Sequence, residues 1–197
     1  FQGVQQLTYY NNSPDTLHRV FYHLYLNAFQ PGSMMEMRSM HIADPDSRIA
    51  DRITRLKPGE TGYTKVNAFL HDGAAPASIK VQGTILEVKL SNPVLPGQKA
   101  QFQMEFESQV PLQIRRNGRN NSEGIDYSMA QWYPKICAYD RHGWHPDDYI
   151  GREFYGTFGD FDVRISIDAR FVVAATGVLQ NPDSTGHGYF GKGPGPV

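Results

Sequence analysis

The chain from Ile125 to Thr176 carries its clearest periodicity near the end. Phe161, Val163, Ile165 and Ile167 fall on one side of the run Asp160–Asp168, and Asp160, Asp162, Arg164, Ser166 and Asp168 on the other. Successive side chains of a strand point to opposite faces, so this spacing predicts a strand with one buried and one wet face. After an Asp168-Ala169-Arg170 turn, the short β-branched run Phe171-Val172-Val173 predicts a second, buried strand. The same alternation recurs upstream, where Ala100, Phe102, Met104 and Phe106 interleave with Gln101, Gln103, Glu105 and Glu107 as a half-exposed antiparallel strand.

Taken in order, Gln5–Tyr10 is rich in β-formers, and Asn11-Asn12-Ser13-Pro14-Asp15 is dense turn chemistry that makes a hairpin. Leu17–Phe29 predicts a central strand covered on both faces, with His23 as a hydrogen-bonded interior residue rather than a ligand. Pro31-Gly32 ends it. Ser33–Leu56 holds the helical material: Asp44-Pro45 offers a cap and first position, and Ile49, Ile53 and Leu56 recur at helical offsets. Met34, Met35, Met37 and Met40 could form a recognition patch, but gap-filling against a sheet is the commoner use. Tyr63–Leu70, Ser78–Gln82, Thr84–Leu90 and Ala100–Glu107 read as successive strands, with Asn92-Pro93 and Pro96-Gly97 as turns. Strands this close, without alternating helices, predict a mainly β fold, an antiparallel β-sandwich or curved antiparallel sheets, with one short helical insertion.

Composition narrows the functional classes. The 197 residues suffice for one large β domain, and a net charge of −1 gives no global field toward nucleic acid or anionic lipid. One cysteine, Cys137, allows neither an intrachain disulfide nor a thiolate cluster for structural zinc. No apolar run is long enough to span a bilayer. Phe1-Gln2-Gly3 reads as the tail of a protease-cleavage tag, and residues 4–197 as a single domain of a longer protein.

The candidate chemistry is sparse. His142 and His145 in RHGWHPDDY, near Asp140, Asp147 and Asp148, are the strongest metal-like pair. Gly143 and Pro146 make that segment a turn, so hydrogen bonding within a rigid loop is the favoured reading. Ser128 lacks a nucleophile elbow, Cys137 lies in a strand-like stretch, and no His-Glu-x-x-His occurs. The Arg115-Arg116-Asn117-Gly118-Arg119-Asn120-Asn121-Ser122 run reads as a solvated, exposed loop, with anion binding as the lesser alternative.

Several blocks together resemble a known family. Asn11–Leu17, His23–Phe29, Gln131-Trp132-Tyr133-Pro134-Lys135, Gly143-Trp144-His145 and Gly159–Val163 are similar, in order and spacing, to the N-terminal domain of M1-family zinc metallopeptidases, most of all the bacterial branch. The resemblance runs from Leu7 to about Asn181. It implies a saddle-like antiparallel β-sandwich domain that packs against a downstream catalytic domain of the same chain. That domain would carry the zinc and a His-Glu-x-x-His helix whose Glu is general base. The residues in hand would then hold no metal ligand and no catalytic residue, and alone would be inactive. The resemblance further implies that Gln131 binds the free amino group of a peptide substrate; the alternative is that Gln131 only satisfies backbone groups in the sheet. Trp132, Tyr133, Tyr139, Trp144 and Tyr149 would line the crevice, face the missing domain or pack in the core, and an exposed apolar patch is expected where that domain would dock. An extracytoplasmic compartment is implied by the resemblance alone. Two other classes stay open: a stand-alone sandwich binding peptide or carbohydrate on exposed aromatics, and a scaffold whose downstream domain has lost its metal ligands.

Overall fold

A computed structural model of the chain describes residues 1–42, 48–151 and 154–185. The chain divides into two compact units, Phe1–Phe158 and Gly159–Val197, and each is described by itself.

The first unit is mainly β. Strands β1 (Gln2–Tyr10) and β2 (Leu17–His23) precede helix α1 (Met34–His41), and β3 (Tyr63–His71), β4 (Ser78–Gln82), β5 (Ile85–Val94) and β6 (Lys99–Gln109) follow. Short ribbons β7 (Gly118–Arg119), β8 (Tyr127–Ser128), β9 (Lys135–Ile136), β10 (Tyr139–Asp140) and β11 (Gly143–Trp144) complete it. The long strands, with the short β9 at one edge, make two antiparallel sheets, ordered β1-β6-β3 and β4-β5-β2-β9. One apolar cluster joins them: Phe69, Ala100, Phe102 and Met104 come from the first sheet, and Val20, Tyr22, Leu86 and Val88 from the second. Each such side chain contributes about 1.5–3 kcal/mol on burial, which is what holds the two layers face to face in a sandwich-like arrangement. The alternation of β6 is as its sequence requires, with Ala100, Phe102, Met104 and Phe106 buried and Gln101, Gln103 and Glu105 exposed.

Several local expectations change. Gln2 and Gly3, set aside above as tag, pair with Glu107 and Phe106. The Phe106 ring lies 2.2 Å from where a Gly3 Cβ would sit, so only glycine fits there. The strand expected over Leu17–Phe29 stops at His23, and Tyr25–Ala28 is a turn of 3-10 helix. An apolar run buried on all sides has no period to tell strand from helix, and Asn27 fixes the turn by donating to Gly83 O and accepting from Thr64 N. The turn expected at Asn92-Pro93 is strand: β4 pairs only as far as Lys89, so the missing N–H of Pro93 leaves no ladder bond unmade on that side.

His23 is interior, as expected, but not hydrogen-bonded. It is 4% exposed and stacks on Tyr25 at 4.9 Å, with no partner for either ring nitrogen. Burial holds its pKa down at about 4, with Lys135 pushing the same way and Asp147 and Asp148 opposing.

Helical structure is shorter than the spacing suggested. Ser33 caps α1 by accepting from Glu36 N at 3.1 Å. The expected Asp44-Pro45 cap lies outside the described residues. Ile49 and Ile53 are buried and Leu56 packs beside them, in a second cluster with Tyr25, Phe29 and Met35, but only Ile53–Arg55 is a 3-10 turn. Their spacing reported burial rather than one continuous helix.

In the second unit the expected strands are absent among the described residues, where the only regular element is the short helix α2 (Pro182–Thr185). Phe161, Val163, Ile165 and Ile167 are 48–64% exposed. Alternation supplies one apolar face, but a strand also needs a hydrogen-bonding neighbour, and none is present in the described part of this unit. The turn after Asp168 does form, with Phe171 N donating to Asp168 O and Arg170 bonding the Asp168 carboxylate. No helix among the described residues is long and apolar enough to cross a membrane.

Candidate functional site

The segment around Gln131 is built by the β7–β8 ribbon, in which Gly118 and Arg119 pair with Ser128 and Tyr127. The buried Asn117 accepts from Ala130 N through Oδ1 at 2.6 Å, and Ser128 Oγ donates to Arg116 O at 3.0 Å. On the far side, Gln5 Nε2 of β1 donates to Pro134 O at 2.8 Å. The backbone is therefore anchored on both sides of Gln131, which sits between with φ +54°. A non-glycine residue in this left-handed region costs about 1 kcal/mol and persists only where its surroundings dictate it.

The Gln131 side chain is half-buried, and among the described residues no hydrogen bond reaches its amide. Its carbonyl oxygen is available to accept from an N–H donor such as an ammonium group, and its NH2 to donate. Trp132 follows directly, edge-on to Phe1 at 5.8 Å and to Tyr133 at 5.4 Å. Leading toward Gln131, the alternate residues Ile125, Tyr127 and Met129 are 50%, 46% and 39% exposed, forming an apolar line on the surface.

The other aromatics separate. Tyr149 is buried in the second cluster, while Tyr139 and Trp144 pack against the sandwich core, Trp144 within 6.0 Å of Tyr9 and Phe21. Two shallow grooves flank Asp148, whose carboxylate accepts from Thr84 Oγ1 at 2.8 Å; Gln131 lines neither. The candidate site is an open surface.

The histidine pair of the sequence serves a turn. His145 Nε2 lies 2.9 Å from Asp140 Oδ1, Tyr155 donates to Asp140 Oδ2 at 3.0 Å, and His142 N donates to Asp140 Oδ1 at 2.8 Å. These bonds, His145 first, hold the Asp140 carboxyl down at about 2. His142 Nε2 instead accepts from Arg141 Nε at 3.0 Å, so the two imidazoles have separate partners. Among the described residues no three His, Cys, Asp or Glu side chains are grouped to hold a metal. Ser128 is bonded to a carbonyl rather than to a base, and Cys137 is fully buried with its thiol pushed up by desolvation.

The arginine loop is corrected. Arg119 donates to Val110 O and Gly59 O, Arg115 donates to Gly151 O, and Asn117 and Gly118 are buried. Arg115 and Arg119 thus brace neighbouring segments by satisfying their carbonyls, while Arg116, Asn120 and Ser122 are exposed as a loop requires. Sequence reasoning missed Asn117 and Gln5 as the anchors of Gln131; each contact spans a long separation that leaves no local signal. Comparison with family models, with curated proteins and with solved structures found no match to this chain.

Proposed function

We propose that this chain is the N-terminal β domain of an M1-like, bacterial-type zinc aminopeptidase. In this reading it shapes part of the substrate cleft and holds the peptide's free amino terminus, while a downstream catalytic domain of the same chain carries zinc and hydrolysis. The observation that carries the reading is Gln131: a pinned backbone at φ +54° beside an apolar line, with an amide that no described residue uses. A polar group set rigidly at the end of an apolar track fixes where a peptide begins, and so which bond is presented for cleavage. The blocks Gln131–Lys135 and Gly143–His145 support the family, since the first supplies this site and the second the turn that Asp140 braces. Zinc would contribute a polarised water in the complete enzyme. No residue described here is assigned to it.

The 197-residue chain alone should release no chromophore from aminoacyl p-nitroanilides and should carry no stoichiometric zinc. The coding sequence beyond Val197 should contain a His-Glu-x-x-His helix. Turnover by this chain, or a stop codon or unrelated module downstream, contradicts the reading and returns the stand-alone binding module.

A further inference from the structure

Helix α1 has a face that the fold does not use. At about 100° per residue, Met34, Met37, Met40 and His41 fall within an arc of about 120°, and Met35 lies roughly opposite its middle. Met35 is fully buried in the second cluster. The other three methionines are 45%, 44% and 55% exposed, and His41 is exposed beside them. The gap-filling use expected of these methionines holds for Met35 alone. Met37 and Met40 are spaced i, i+3, and Met37 and His41 i, i+4, the two separations that bring helical side chains together on one face.

His41 is already oriented. Its Nδ1 lies 2.7 Å from Met37 O, a bond that requires the proton on Nδ1 and leaves the Nε2 lone pair free. Metal-ligating imidazoles show this pattern, with one ring nitrogen donating to a carbonyl and the other turned to the ion. Glu36, the only acid of α1, is occupied by Gly32 N, so the face offers two or three thioethers and an imidazole, all neutral. Hard divalent cations need carboxylate or carbonyl oxygen, whereas thioether sulfur selects soft ions.

We infer that Met37, Met40 and His41 form a binding site for one copper(I) ion. The site lies on a surface helix of the first unit and does not depend on the peptidase reading. Binding involves no electron transfer, as the metal arrives and remains in the monovalent state.

The test uses the chain labelled at its six methionine methyl groups, titrated with Ag(I) as an air-stable stand-in for Cu(I). The methyl resonances of Met37 and Met40 should move together and saturate at one equivalent. Met129 is an isolated exposed methionine and Met104 a buried one, so both serve as internal controls and should stay in place. Competition against a chromogenic Cu(I) chelator should show at least tenfold weaker binding for Met37→Leu/Met40→Leu and for His41→Ala. Leucine preserves helix propensity on this exposed face, so folding is not at stake. Zn(II) should produce no shift at these methyls. A Met129 response equal to that of Met37, affinity within twofold in the double variant, or no change at one equivalent overturns the site.

Discussion

On acidification from pH 6.5 to about pH 4, the fold should lose about 3 kcal/mol of stability through His23 alone. In the unfolded chain the imidazole takes up a proton near pH 6.5, whereas in the folded chain burial beside Tyr25 delays this to about pH 4. Across that window the unfolded state binds the extra proton, so stability is full above pH 6.5 and falls as the pH drops. Each unit of difference corresponds to about 1.4 kcal/mol. The window is distinct from that of Asp140, whose lowered carboxyl acts only below its ordinary range. Urea denaturation at a series of pH values should show the slope in the native chain and lose it in His23→Phe, which keeps an aromatic ring against Tyr25. Ring NMR provides the second measurement: His23 should stay neutral down to about pH 4. Titration of its ring near pH 6.5 would sink this prediction.

Gly118→Ala should destabilise the first unit by about 3 kcal/mol. An added Cβ would stand 2.2 Å from Gln113 Cα and 2.6 Å from Gln113 N, and the residue's φ is +145°. Both clashing atoms are backbone, so no rotamer change relieves them. The strain falls on the β7–β8 ribbon, and with it on the Asn117 bond that positions Gln131. Gly124→Ala is the matched control, with φ +81° but open space around the new Cβ, and it should cost only about 1 kcal/mol. Equal denaturation midpoints for the two variants would show that the close approach at Gly118 carries no energetic weight.

Strands β2, β5 and β6 of the first unit were legible because each buries residues in the core between the sheets, whereas β4 is exposed along its whole length. The interleaved Phe102, Met104 and Gln103 of β6 announce this directly, and β4 begins and ends where its turn residues place it. Elsewhere the same pattern misled for a physical reason. Phe161–Ile167 has a strand's alternation but forms no strand among the described residues, since period reports amphipathicity and not pairing. Leu24–Phe29 is buried on every side, so its 3-10 turn left no period to read. At the candidate site, Gln131 was singled out only by the resemblance of its block, and its left-handed backbone and its anchors left no signal in the sequence. Those come from Asn117 and Gln5, far away in sequence. His142 and His145 looked like a pair because they are close along the chain, yet each finds a different partner.

The proposed role of Gln131 is tested most directly in the complete protein encoded by this gene. Steady-state kinetics would compare an aminoacyl substrate with a free amino group against its N-acetylated form, in the native enzyme and in Gln131→Ala. A charge-assisted hydrogen bond of this kind contributes about 1.5–3 kcal/mol, so kcat/KM for the free-amine substrate should fall roughly 10- to 100-fold in the variant. The preference over the acetylated form should shrink by the same factor, with one zinc ion per chain unchanged. An unchanged preference in the variant, or a complete protein that binds no zinc and cleaves neither substrate, would contradict the account.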